Sequence, residues 1–416
     1  MAAVNVRAIS LEERMFLGRF ERVLILGGLA LLFVFYLLKS LIPGLGVGVI
    51  DLLAVTMLAG VFINKYGIPV VLRKSLCSYL IFIILLLVSS YQNSVQFNPE
   101  GQFLQLLVYL KFPLLIISCW YLSQSLWLKG IFGKFIKGVL FANVLFVVLQ
   151  IINHSILSSI FPGMMLETYI GGARRLTGIF FHPTPLSFVS TLSLIYLVGD
   201  KKLAYKERYL LVIFCLFLMY FSGQRGEAVF LLASFLLGGG VWLCRRVIFK
   251  NVSLVSSAVV VLGYFLLGMF ELNVLTDNDF ARLVLFTGAK DVADTFFPIG
   301  SGLATYGSAN SVLSGLYVDL GVADLWWYKQ EQNYLTDTYW AMLIAEAGWL
   351  GLLFFLVSLF CFVRPFVFSR GSYYSCVALV FILLEAFTNP IFTGPCYLSL
   401  FAVLVMNFST DRRLLQ

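Results

Sequence analysis

Long apolar segments alternate with short loops along the whole chain of 416 residues, and the loops alternate in charge. A helix needs about 20 apolar residues to cross the hydrocarbon core of a bilayer. Segments of that kind fall at roughly 22–41, 47–64, 75–92, 103–128, 138–156, 185–199, 208–222, 226–243, 252–272, 338–362, 374–390 and 392–409. Such a pattern predicts an all-α fold: a polytopic integral membrane bundle of about 12 transmembrane helices, forming a single domain over residues 1–416.

Basic residues give the bundle a direction. Lys and Arg cluster at Arg7–Arg22, Lys65–Lys74, Lys129–Lys137, Lys201–Arg208, Arg245–Lys250, Arg364–Arg370 and Arg412–Arg413, which are every second loop. These clusters hold 21 of the 29 basic residues. The positive-inside rule then sets both termini in the cytoplasm. Charged residues make up 12% of the chain, against about a quarter for a soluble domain. The net charge of +8 gathers on the inner face, facing anionic lipid headgroups, so the expected partner is the lipid bilayer and not nucleic acid. Glu12, Glu13 and Glu21 interrupt the basic start, and no small-residue cleavage site follows the first apolar run, so a cleaved signal is not expected. The seven cysteines are scattered over apolar segments without metal-ligand spacing, and there are two histidines, His154 and His182. Neither a metal nor any other cofactor is called for.

Lys111 lies within the fourth span, where a charge either faces protein or snorkels from a tilted helix. Two outside segments are long. One, about 157–184, carries Arg174 and Arg175. The other, about 273–337, is the large periplasmic loop, with eight acidic and three basic residues. Its opening stretch, 279–297, spaces Phe280, Leu283, Phe286, Val292 and Phe296 as an amphipathic helix lying at the outer interface. The Gly/Ser-rich stretch 298–311 predicts irregular backbone. The aromatic stretch 325–335 suits a membrane-surface segment.

Four outside elements carry groups able to do chemistry. In 174–188 two arginines precede a glycine turn and a His-Pro. Arginine grips phosphate through a planar fork of donors, or it anchors a loop to headgroups; both readings stand. In 222-SGQRGE-227 a tight turn holds Arg225 near the surface, with Glu227 placed to pair with it. Arg282 opens the amphipathic helix, ahead of Gly300 and Gly302. In 331–353 a polar, aromatic stretch enters a span containing Glu346 and Gly348; Asp337 at its mouth is either a base or, as the spacing favours, a helix N-cap. Three separated arginine sites beside a carboxylate suit a diphosphate-lipid substrate, with guanidinium groups stabilising the pyrophosphate as it leaves, without a metal.

From about 170 to 355 these residues resemble the superfamily of bacterial O-antigen polymerases and O-antigen ligases. The resemblance rests on Arg175, Gly178, Phe180, Phe181 and Pro183; on Ser222, Arg225 and Gly226; on Arg282, Gly300 and Gly302; and on Glu346, Gly348 and Gly351. In the ligases a His-Asn pair typically stands nine residues before the E-x-G; here Asp337 and Thr338 stand there, and the large loop has no histidine, which tilts the resemblance to the polymerases. It implies a GT-C-like, metal-independent membrane glycosyltransferase of the inner membrane. Such an enzyme moves a growing glycan from undecaprenyl diphosphate onto an undecaprenyl-diphosphate-linked repeat unit at the periplasmic face. Arg174, Arg175, Arg225 and Arg282 would bind diphosphate, Arg282 would also serve the transfer, and Asp337 or else Glu331 would orient or deprotonate the acceptor hydroxyl. The partners implied are the undecaprenyl-diphosphate-linked oligosaccharide and a chain-length regulator protein. Ligase-like transfer to a lipid core or protein remains the alternative; a lipid or solute transporter is a second.

Overall fold

A computed structural model describes residues 21–31, 47–93, 98–124, 126–153, 157, 159, 175–180, 182–200, 203–274, 281–330, 334–368, 372–394, 400–402 and 405. Every regular element among them is helical. They are α1 (21–31), α2 (Val47–Tyr66), α3 (Arg73–Gln92), α4 (Pro99–Gln124), α5 (Leu126–Ile152), α6 (Pro183–Gly199), α7 (Tyr205–Ser222), α8 (Arg225–Leu243), α9 (Arg245–Lys250), α10 (Val252–Val274), α11 (Ala281–Thr295), α12 (Leu316–Asp319), α13 (Trp326–Gln330), α14 (Tyr339–Val367) and α15 (Ser372–Glu385), with short 3-10 turns between some of them.

Five described stretches are long and apolar enough to cross a membrane: Val70–Gln92, Pro99–Leu122, Gly133–Ile152, Gly226–Leu243 and Tyr339–Val367. Four shorter apolar helices accompany them. Their polarity is inside out. Leu236 on α8 is 79% exposed while Ser234 and Glu227 on the same helix are buried. Ile84 and Leu87 on α3 and Phe141 and Leu145 on α5 also face outward, and Gln105, Asn143 and Gln150 face inward. Water would drive the opposite arrangement; a hydrocarbon solvent favours this one. The molecule is therefore a helical membrane protein.

Small residues set the closest helix contacts, as expected where lipid supplies no hydrophobic drive between helices. Ser75 Oγ on α3 donates to the Ser358 carbonyl on α14 at 2.8 Å, and Ser78 Oγ donates to the Phe354 carbonyl at 2.9 Å. At Gly238 a β-carbon would come within 2.8 Å of Val377 Cα, so only glycine lets α8 lie this close on α15. Lys111 is 3% exposed and faces protein, which decides against snorkelling.

The segment between α10 and α14 packs on the bundle. The helix expected over 279–297 forms as α11, but its face of Leu285, Phe286, Ala289 and Val292 is buried with α14 beside it, so it lies on protein and not on the bilayer surface. Phe280 lies outside the described residues. The backbone over 298–311 is irregular, as its composition predicts, yet residues 300–308 are buried. The aromatic stretch is likewise turned inward: Trp327 and Leu335 are buried, and Tyr328 donates to the Val312 carbonyl at 2.9 Å. A surface segment and an inward-packed one share the same amphipathic pattern, and contacts with distant residues decide between them.

Candidate functional site

One end of the bundle gathers the starts of α6, α8 and α14 with the ends of α3, α5, α7 and α15. The segment 175–180 docks there through two buried amides of α5. Gln150 Oε1 accepts from the Thr177 and Gly178 amides, both at 3.1 Å, and Asn143 Oδ1 accepts from the Ile179 amide at 3.0 Å. Gly178 has φ 57°, and a β-carbon there would lie 2.3 Å from Asn143 Oδ1. The Leu176 amide donates to the Phe221 carbonyl at 3.0 Å, which ties the residue after Arg175 to the end of α7. Gln224 Nε2 donates to Thr184 Oγ1 at 2.9 Å, fastening the tight turn before α8 to the start of α6. His182 is the N-cap of α6, its Nδ1 accepting from the Thr184 amide at 3.2 Å. The backbones bearing Arg175 and Arg225 are thus held side by side. Arg174, Glu331 and the side chain of Arg225 lie outside the described residues.

Arg282 and Asp337 meet directly. Arg282 Nη2, from the first turn of α11, reaches Asp337 Oδ2 at 3.3 Å, with the two side chains 40% and 27% exposed. Asp337 is not a helix cap. Thr338 occupies the N-cap position of α14 and makes no side-chain cap bond. The first amides of α14, those of Tyr339 and Trp340, donate instead to the Ala386 carbonyl at 3.1 and 3.3 Å. With the helix start already satisfied from α15, the Asp337 carboxylate is left to face α11. Behind this pair stands Glu385, at the end of α15 and within the field of Arg282; Asn389 Nδ2 donates to its Oε2 at 2.8 Å. Tyr339 and Trp340 are packing residues: both rings pile onto Phe355 and Phe392, and Trp340 Nε1 donates to the Leu383 carbonyl at 3.0 Å.

The expected pairing of Glu227 with Arg225 involves a side chain, that of Arg225, outside the described residues. Glu227 turns into the bundle at 3% exposure, and among the described residues neither carboxyl oxygen has a hydrogen-bonded partner. An inward turn of α8 and an outward one look alike in so short a motif.

The glycines and Glu346 form a knot between the 298–311 loop and α14. Gly348 breaks α14 with φ 66°, ψ −176°. The freed carbonyls of Ala345 and Glu346 accept from the Ser301 and Gly302 amides, both at 2.9 Å, and the Leu350 amide donates to the Pro298 carbonyl at 3.1 Å. Ser89 Oγ and Asn93 Nδ2, at the end of α3, both donate to the Gly300 carbonyl, at 2.5 and 2.6 Å. Glu346 Oε2 accepts from Tyr109 Oη at 2.8 Å and Gln105 Nε2 at 3.2 Å, while the backbone amides of Ala304 and Tyr306 lie near the carboxyl. The Gly300/Gly302 and Glu346/Gly348 motifs are therefore one backbone seam that docks the loop on α14. Gln105, Tyr109, Asn143 and Gln150 carry this scaffold; their only sequence signal is polarity inside an apolar span.

Protein-family models, curated proteins and solved structures give no match to this chain.

Proposed function

We propose that this protein is an O-antigen-type polymerase of the bacterial inner membrane, with about twelve spans, both termini in the cytoplasm and the 273–337 segment on the periplasmic side. In this reading a growing glycan leaves undecaprenyl diphosphate and is transferred to the next lipid-linked repeat unit. The observation that carries the reading is the half-exposed Arg282–Asp337 pair at the same end of the bundle as the tied segments bearing Arg175 and Arg225. The order of the arginine and glycine motifs along the chain adds to it.

The chemistry asked of these groups is modest. Guanidinium groups hold the diphosphate and stabilise its charge as the sugar departs, preorganised in a site of low dielectric. Asp337, positioned by Arg282, accepts a hydrogen bond from the acceptor hydroxyl and orients it. Diphosphate arriving at Arg282 would loosen its hold on Asp337, so donor binding frees the carboxylate for the acceptor.

The test is incubation of purified protein with a synthetic undecaprenyl-diphosphate repeat unit, with and without a lipid core acceptor, followed by gel analysis. A ladder of lengthened lipid-linked glycan is expected, together with its loss in Arg225→Ala and Asp337→Asn proteins of unchanged melting temperature. Glycan transferred once onto lipid core identifies a ligase instead. Ladders that survive both substitutions would remove the diphosphate and acceptor roles.

A further inference from the structure

At the opposite ends of α3 and α14 from the Gly300 seam and Asp337, a cavity of about 350 Å³ lies between the two helices. Val71 and Lys74 line it from the 3-10 turn Val70–Leu72 and the first turn of α3. Cys361, Arg364, Pro365 and Phe368 line it from the end of α14. Its walls are held in register. Ser75 Oγ, next to Lys74, donates to the Ser358 carbonyl at 2.8 Å, and Ser358 Oγ donates to the Ser75 carbonyl at 2.9 Å. The two cations are the unusual feature. Other lysines toward this end have carboxylates: Lys65 Nζ lies 2.6 Å from Glu21 Oε2, and Lys137 Nζ lies 2.5 Å from Glu207 Oε1. Among the described residues Lys74 and Arg364 have neither an ion pair nor a hydrogen bond.

Two like charges on one cavity repel, and an anion between them turns that cost into a gain. The remaining walls, Val71, Pro365 and Phe368, are apolar. The volume stands at the small end of ligand sites, which run from about 300 to 1,000 Å³. It suits a headgroup and not a whole lipid. Val70 and Phe368, apolar and exposed beside it, leave acyl chains a path along the outside of the bundle. We propose that this cavity binds the phosphate of an anionic phospholipid from the adjoining leaflet. Arg364 grips the phosphate through its planar fork of donors, and Lys74 meets it as a point charge. A zwitterionic lipid fits less well, because its own ammonium meets the same two cations. Pro365 returns no amide to the Cys361 carbonyl, so the turn that lines the cavity also carries an acceptor for a headgroup hydroxyl. A lipid held here bridges α3 and α14, whose other ends hold Gly300 and follow Asp337. Nothing in this step depends on which reaction the cleft performs.

The test uses the full chain, purified in a non-ionic detergent, stripped of lipid and given back phosphatidylglycerol or phosphatidylcholine. Native mass spectrometry counts the lipid retained, and maleimide alkylation with peptide mapping reports on Cys361. One phosphatidylglycerol per chain should be retained about tenfold more strongly than phosphatidylcholine. At saturation it should slow alkylation of Cys361 about fivefold, while Cys244, exposed at the end of α8, reacts as before. The double variant Lys74→Gln, Arg364→Gln should lose the preference. The double variant Arg73→Gln, Arg246→Gln, which takes the same charge from exposed positions outside the cavity, should keep it. Equal retention of the two lipids by the wild type overturns the proposal. Equal loss of preference in both double variants also overturns it, leaving only the diffuse attraction of a basic face. Protection of Cys361 by inorganic phosphate alone overturns the lipid in favour of a soluble phosphate. The wild-type comparison decides the matter even where the variants fail to fold.

Discussion

Around Glu346, polar groups from α3, α4, α14 and the 298–311 loop bond to one another; at Glu227 and Glu385, three of the four carboxyl oxygens have no hydrogen-bonded partner among the described residues. Both regions place carboxyls at low exposure in an apolar surround. The first meets most of that cost with Tyr109, Gln105 and the backbone seam at Gly300 and Gly348, and leaves only Glu346 Oε1 of its carboxyl without a hydrogen-bonded partner among the described residues. The second leaves Thr338 Oγ1, Glu385 Oε1 and both oxygens of Glu227 bare. Buried polar groups in native proteins are nearly always bonded, so a carboxyl with both oxygens unpartnered among the described residues stands out from one with a bonded oxygen. In the proposed reading the bonded region is scaffold, and the barer one lies beside the Arg282–Asp337 pair that does the chemistry.

The contrast breaks most easily at its tightest point. A β-carbon on Gly300 would lie 2.4 Å from the Gly348 amide nitrogen and 2.6 Å from the Ala345 carbonyl oxygen, at φ 75°. Gly300→Ala combines backbone strain with overpacking and should destabilise by about 4 kcal/mol, enough to remove most folded protein. Normal yield and an unchanged melting temperature in detergent would show that the seam is not structural. Next comes Glu346→Ala, which strands the Tyr109 hydroxyl and the Gln105 amide; a loss of about 3 kcal/mol is expected, with Glu346→Gln recovering roughly half because it keeps an acceptor for Tyr109. Equal effects of the two would mean that the negative charge, rather than the bonding, holds the loop.

Arg282→Ala sharpens the other side. The Arg282–Asp337 pair is partly exposed, so its removal should change stability by less than about 1 kcal/mol. The proposed transfer should nonetheless fall about 100-fold, equivalent to about 2.7 kcal/mol of transition-state stabilisation. A large fall in melting temperature with activity retained per folded molecule would reverse the assignment and make this pair scaffold.

The sequence makes the spans legible and the sites less so, for a physical reason. Crossing a bilayer demands length and apolarity, which are local, so the spans expected at 75–92 and 226–243 reappear as α3 and α8 nearly to the residue. Gly300, Gly302, Glu346 and Gly348 stand out as motifs, but that they form one seam depends on α14 unwinding at Gly348 to expose carbonyls to a loop some 45 residues earlier. Asp337 reads as a cap because its spacing is right for one; the Ala386 carbonyl, nearly 50 residues later, takes the amides it would have bonded. The burial of Glu227 inside the bundle is not legible either, because sequence shows neighbours, not the direction in which a helix turns them. The inward packing of Trp327 is hidden for the same reason.

The smallest effect is expected within the scaffold, at Tyr317. Its hydroxyl accepts from the Gly307 amide at 2.7 Å and lies 2.8 Å from Ser311 Oγ, with its ring stacked on Tyr306. Burial pushes both hydroxyls above the ordinary tyrosine value of 10.0. The sign follows from the unfolded chain. Below about pH 10 both states keep these phenols neutral and nothing changes. Above it the unfolded chain sheds the protons while the folded loop holds them, so folding stability falls with rising pH until the folded hydroxyls ionise. Tyr317→Phe gives up the bond to Gly307, a loss of about 1 kcal/mol at neutral pH, but it also removes one group from that alkaline penalty. The melting temperatures of the two proteins should therefore converge between about pH 10 and pH 11. Parallel curves across that range would mean that the Tyr317 hydroxyl reaches water, and that the loop docked on α14 is wetter than its bonded counterpart at Glu346.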